Sequence, residues 1–150
     1  MEDHLFLEGA SPLRGLASSS LGPLFPDQGA VHDHSLRRDL LREAARIGLN
    51  CAEGVLACVP GPTIETPAER AYFARAGAHA TAQDIGSLFH AMAHCGLNGL
   101  TLIALLGTTD TQVQELLAAS ERLAPGLAEL IHTAIPILAA RARHEREEDL

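Results

Sequence analysis

The chain has 150 residues, 47% hydrophobic and 20% charged, with a net charge of −8 and 3% aromatic residues. That size and mix suit one soluble globular domain with a core of Leu, Ala, Ile and Val, and they exclude an extensively disordered chain. The acidic balance and the scattered arginines offer no basic stripe for a phosphate backbone, so nucleic acid is not an expected partner.

The amino-terminal Met1-Glu-Asp-His is polar, so no secretory signal is expected there. Residues 1–35 read as a loop or arm, and the Gly-, Ser- and Pro-rich stretch 9–35 is of the length usually reserved for function or docking. Leu36, Leu40, Leu41, Ala44 and Ile47 then recur at helical spacing, with Gly48 near the stop. Val55–Val59 is a short apolar run closed by Pro60-Gly61-Pro62, which predicts a buried strand ending in a rigid turn. Thr66-Pro67-Ala68-Glu69 is a capping box with proline at the first helical position, and it predicts a helix to about Ala76 with Gly77 as its stop.

Residues 79–83 suit a short strand. From Asp84 a helix places Ile85, Leu88, Phe89 and Met92 on one face and stops at Gly96. Leu100–Leu106 is an unbroken apolar run, expected to be a second buried strand parallel and adjacent to Val55–Val59. The stretch around it, Gly99 to Gly107, is far shorter than the roughly 20 residues of a membrane-spanning helix, so no membrane partner is expected. Asp110 is a plausible N-cap for a helix to about Leu123. Pro125-Gly126 should break it, a last helix should follow to about Arg143 with a kink at Pro136, and 144–150 should fray. Strands alternating with helices predict an α/β fold with a mainly parallel sheet flanked by helices. The whole chain, 1–150, is expected to be a single domain.

Three cysteines without CxxC spacing predict free thiols and a cytoplasmic setting, with Cys51 and Cys58 acting as small buried hydrophobes. His90 and His94 stand four apart on one helix, a spacing that can hold a metal. Both lie off the apolar stripe, which favours solvated histidines. His32-Asp33-His34 is a second candidate cluster, more simply a turn into a helix. No metal and no cofactor are expected. The Ser18-Ser19-Ser20 run lacks the Gly spacing of a phosphate loop.

The stretch Glu53 to Glu69, EGVLACVPGPTIETPAE, resembles the signature of trimeric-type purine nucleoside phosphorylases, roughly EGVYVxVxGPxFETPAE, without a gap. Asp3-His4-Leu5 through Pro12-Leu13-Arg14-Gly15, Leu24-Phe25-Pro26, Gly77-Ala78 and His94-Cys95-Gly96-Leu97 resemble further family stretches in the family's order. The resemblance is to the carboxy-terminal half, and it implies a truncated version of that fold in the nucleoside-metabolism family of pentosyltransferases. The half without a counterpart carries the phosphate loop of the family.

The resemblance implies that Glu65 hydrogen-bonds a purine edge and that Phe25 reaches the sugar site of a neighbouring subunit. It also marks degenerate positions. Ile64 replaces an aromatic near the base, and Gln83 and Asp84 replace a Met-Ser pair that contacts ribose and phosphate. Gly107 falls where an asparagine holds the purine, and Asp110 falls where a histidine contacts ribose. Glu65 also has a bland reading, as a charge favoured by the start of the next helix. The expectation is therefore a phosphorylase-like protein with no catalytic residues assigned, lapsed in catalysis and acting in assembly or weak purine binding as a homo-oligomer. The alternative is active phosphorolysis with the amino-terminal half supplied by a second chain.

Overall fold

Val55–Val59 carries no polar side chain, and the structure buries it at the centre of a parallel sheet. The computed structural model describes residues 1–16, 18–108 and 112–148. In chain order these form β1 (Asp3–Phe6), α1 (His34–Arg46), β2 (Val55–Val59), α2 (Pro67–Arg75), β3 (Ala80–Gln83), α3 (Gly86–His94) and α4 (Val113–Glu148). They divide into two compact units, one of Met1–Asp33 with Glu53–Thr101, the other of His34–Ala52 with Leu102–Leu150.

The first unit holds the sheet, ordered β1-β2-β3 with both pairings parallel. Asp3 pairs with Val55, and Leu56 with Ala80. Leu56, Ala57, Cys58 and Val59 are buried, as expected for a strand covered on both faces. The helix between β2 and β3 starts as its sequence requires. Thr66 accepts from the Glu69 amide at 3.2 Å, while the Glu69 carboxylate accepts from the Thr66 amide at 2.7 Å. Hydrogen bonding from the Thr66 amide, and secondarily from the Thr66 side chain, holds the Glu69 carboxyl below its usual range.

Two expectations for this unit are corrected. Residues 3–6, expected within an arm, form β1. Leu100–Leu106 is not a strand. The central strand has two edges, taken by β1 and β3, so no edge remains for a third neighbour. The chain pairs once before that run, where Gly99 bridges His32 and exchanges backbone hydrogen bonds with Val31 and Asp33. An apolar run without alternation does not distinguish a strand from a packed irregular segment.

An aromatic cluster lies against the sheet. Phe89 of α3 is buried between the imidazoles of His4 and His32, with centroids at 4.6 and 4.9 Å. His4 Nδ1 and His32 Nε2 are 3.0 Å apart, one donating and one accepting. The Phe6 ring packs on His90 at 4.2 Å. Gly86 opens α3 at a point of close approach: a Cβ there would lie 2.6 Å from Phe6 Cδ2 and 2.9 Å from Cys58 Cβ. His90 and His94, expected in solvent, are corrected. His94 is buried, with Nδ1 2.7 Å from the Pro23 carbonyl and Nε2 2.7 Å from Ser19 Oγ. The Nδ1 of His90 is buried without a hydrogen-bond partner among the described residues.

The second unit packs α1 on α4. Leu36, Leu40 and Ala44 of α1 and Ala119, Leu130 and Ala134 of α4 form its core. Burying each leucine is worth about 1.5–3 kcal/mol. The Arg141 guanidinium donates to Ser35 Oγ at 2.6 Å and to Asp39 Oδ2 at 2.8 Å. The expected break at Pro125-Gly126 is absent. One helix of 36 residues passes through both Pro125 and Pro136 and reaches Glu148, inside the stretch expected to fray. A Cβ on Gly126 would lie 3.1 Å from Leu49 Cδ2, so this glycine serves close packing rather than helix termination. Cys51, expected to be buried, is exposed, and Cys58 is buried as expected. Asp110 lies outside the described residues.

Two measurements test this packing. Gly86→Ala overpacks the Phe6–Cys58 contact and is expected to lower unfolding stability by about 1–3 kcal/mol in urea titration. Burial is the main cause holding the His4 pKa below its ordinary 6.5, aided by the charge of His90 and opposed by Asp3 and Glu8. A lowered histidine pKa contributes stability that is complete above 6.5 and lost as pH falls through the lowered value. The melting temperature is therefore expected to drop from pH 7 to about pH 5, and His4→Gln to flatten that drop.

Candidate functional site

Ligands of open parallel sheets gather beyond the carboxyl ends of the strands. In this chain that edge is formed by the segment after β2, residues 60–66, and by Gln83 and Asp84 at the end of β3. The first segment contains a cis Gly61-Pro62 peptide, and the Thr66 side chain caps the start of α2.

Glu65 sits in this segment and is half-buried, its side chain 14% exposed. Its Oε2 lies 3.9 Å from Arg70 Nε, an ion pair too long to be a hydrogen bond. The carboxylate thus keeps acceptor capacity for the N–H groups of a ligand. Ile64 is exposed next to it.

Gln83 and Asp84 are turned toward the same segment. Gln83 Nε2 donates to the Thr63 carbonyl, and Asp84 Oδ1 accepts from the Gly61 amide at 3.1 Å. Asp84 has φ +55°, in the left-handed region that Asp tolerates better than most residues. The expected helix start at Asp84 is therefore displaced by two residues. Its side chain holds the β2 turn rather than capping α3, and the position before Gly86, Ile85, has no side-chain cap.

The cap comes from Glu8, a residue that sequence reasoning missed. Its carboxylate accepts from the Gly86 amide at 2.6 Å, the Ser87 amide at 3.0 Å and Ser87 Oγ at 3.3 Å. These are charge-assisted bonds at the positive end of a helix. The only sequence signal was negative: a helix opening at Gly86 without Ser, Thr, Asp or Asn directly before it. Burial, with a smaller effect of Glu8, pushes the Cys58 thiol up to about 12, which removes it as a nucleophile.

The sites expected from sequence thus divide. Ile64, Glu65, Gln83 and Asp84 share the sheet edge. Phe25 is 96% exposed on the loop before His32. Gly107 belongs to the second unit, on the wall of an open groove of about 400 Å³ with Leu106, Thr108, Glu115, Ala118 and Arg122. Asp110 falls outside the described residues. Among the described residues no three His, Cys, Asp or Glu side chains converge as a metal set.

Comparison with known proteins gives one family. The model of the Phosphorylase superfamily matches residues 1–136. Purine nucleoside phosphorylase 1 of Geobacillus stearothermophilus is 41% identical over 69 residues, 46% of this chain and 25% of that protein. Purine nucleoside phosphorylase 1 of Bacillus subtilis is 27% identical over 135 residues, 86% of this chain and 50% of that protein. The structure superposes with a TM-score of 0.82 on isoform 2 of the purine nucleoside phosphorylase of Schistosoma mansoni, solved with cytosine and ribose-1-phosphate. That match covers 89% of this chain and 52% of the other at 23% identity, a likeness of fold. The chain spans half or less of the length of the curated relatives it matches.

Replacing Glu8 tests its place in the site. Glu8→Ala strips the cap from α3 and is expected to cost about 1–2 kcal/mol of unfolding stability in urea titration. An unchanged midpoint would show that solvent caps α3 equally well.

Proposed function

The chain belongs to the phosphorylase superfamily, and we propose that it is a catalytically lapsed member that retains weak purine binding and acts as a homo-oligomer. The observation that carries the lapsed reading is the placement of two carboxylates at the sheet edge. Glu8 occupies the amide donors that open α3, and Asp84 stands at the end of β3. By resemblance, the residues at 83 and 84 contact ribose and phosphate in active relatives. Here a phosphate would meet a negative charge from Asp84 and donors already taken by Glu8. Positioning and charge stabilisation of the attacking anion are the largest contributions such a site makes.

Purine binding is supported by Glu65, whose carboxylate is half-buried and retains acceptor capacity beside Arg70. Ile64 offers an apolar contact for a flat base. Phe25 supports assembly: an almost fully exposed phenylalanine on a loop suits insertion into a second subunit. The half-length match to relatives keeps a second reading in play, in which another chain completes the site.

The pure chain is expected to show no turnover of inosine with phosphate, while calorimetry with hypoxanthine or guanine shows weak binding that Glu65→Ala abolishes. Loss of one positioned donor at a catalytic centre costs about a hundredfold or more, and several are missing here. Turnover that appears in the pure chain and vanishes in Glu65→Ala would overturn the lapsed reading. Turnover that appears only on adding a second chain would favour the completed-site reading.

A further inference from the structure

The histidine that closes α3 is held at both ring nitrogens, and the two bonds differ in kind. His94 Nδ1 lies 2.7 Å from the Pro23 carbonyl, and Nε2 lies 2.7 Å from Ser19 Oγ. A carbonyl can only accept, so Nδ1 carries a proton. In the neutral ring Nε2 then presents a lone pair, and the Ser19 hydroxyl donates to it. The Leu21 amide donates to Ser19 Oγ at 3.1 Å, which engages one oxygen lone pair; among the described residues the other has no donor. His94 is buried at 4% exposure, whereas Ser19 keeps part of its surface in solvent. Glycine at position 22 lets the loop reach the end of α3, since a Cβ there would overlap the His94 carbonyl.

We propose that Ser19 is a nucleophile activated by His94, a second reactive centre that takes small carboxylic esters. It uses none of the residues at the sheet edge and does not rest on the reading of that edge. A base within about 3 Å of the hydroxyl, itself oriented by a third group, is the arrangement such chemistry requires. As Oγ bonds to the ester carbonyl carbon, its proton passes to Nε2. The bond from that carbon to the alcohol oxygen then breaks, and Nε2 returns the proton to the departing oxygen. A water deprotonated by the same nitrogen releases the acid and restores the serine, so one ester and one water give one acid and one alcohol.

The Pro23 carbonyl fixes the tautomer but brings no full negative charge, so the imidazolium is stabilised less than it would be beside a carboxylate, and turnover is modest. The Ser20 and Gly22 amides, without an acceptor among the described residues, are the donors nearest in sequence for the carbonyl oxygen as it gains charge. Ser18 and Ser20 are exposed on either side of Ser19. That open setting suits a small acyl group over one that needs an enclosed pocket. The serine run, which lacks the spacing of a phosphate loop, thereby supplies its own controls: among the described residues only Ser19 touches His94.

Intact-mass spectrometry of the full chain with an alkyl fluorophosphonate reads the first step alone, in which Oγ bonds to phosphorus, fluoride leaves and His94 takes the proton. Cys51 and Cys95, both exposed, are first blocked with iodoacetamide so that no thiol competes. A single adduct that peptide mapping places on Ser19 is expected. Ser19→Ala should abolish it, and Ser18→Ala or Ser20→Ala should leave its rate within about twofold. His94→Gln should slow it by about a hundredfold or more. Hydrolysis of para-nitrophenyl acetate by the blocked chain should fall to the buffer rate in Ser19→Ala of parental circular dichroism. No adduct, or an adduct on Ser18 or Ser20, overturns the proposal. So does a Ser19 adduct whose rate is unchanged in folded His94→Gln, which would reduce the pair to a tie between loop and helix. Where His94→Gln unfolds, Ser19→Ala decides, and ester hydrolysis retained in that variant overturns the proposal.

Discussion

The sheet unit depends on one carboxylate bridging the two ends of its sequence. Glu8, just after β1, closes the first turn of α3, 78 residues further along. That contact fixes where α3 begins and so where Gly86 meets Phe6 and Cys58. It also sets how Phe89 enters the space between His4 and His32. The packing holds only if the backbones approach closely, which is why glycine stands at the helix start. The same carboxylate gives the site its electrostatic character. A helix amino terminus beside the ligand edge of a parallel sheet would ordinarily attract an anion; here the attraction is internally satisfied.

What the sequence made legible follows from how local each determinant is. The capping box at Thr66 and Glu69, the helix from Leu36 to Ile47 and the strand Val55–Val59 were readable because their causes lie within a few residues. Leu100–Leu106 was misread because strand formation depends on a free neighbour, and both edges of β2 were taken by partners distant in sequence. Pro125-Gly126 was misread for the opposite reason. A helix-interior proline costs about 3 kcal/mol, yet the helix continues through Pro125, with Ala119, Leu130 and Ala134 buried along it. His94 looked polar and exposed, yet its two ring nitrogens find a carbonyl and a hydroxyl on the Ser19–Pro23 loop, partners no periodicity could signal.

The candidate site was partly legible. Glu65 was placed by its motif and stands at the sheet edge. Asp84 was singled out as a charge at a position where relatives contact phosphate, but its structural task was hidden. It tethers the Gly61 turn from a left-handed backbone position. Glu8 left no positive trace, because a carboxylate on a distant strand reads as an ordinary surface residue. The family resemblance supplied the site's address, and the local hydrogen bonds supplied what now occupies it.

The sheet's strand order also carries a kinetic consequence. β2 and β3 pair across the short α2 crossover, whereas β1 must return to β2 across a segment about twice as long, from Asp3 to Val55. Each doubling of a closing loop adds about 0.6 kcal/mol of entropic cost. The β2–α2–β3 crossover unit is therefore the cheaper contact to form first, with β1 arriving later. Because Glu8 travels with β1, the strand's arrival and the capping of α3 are one event. Folding of this unit should slow in proportion to how long α3 waits for a cap that only the last strand delivers.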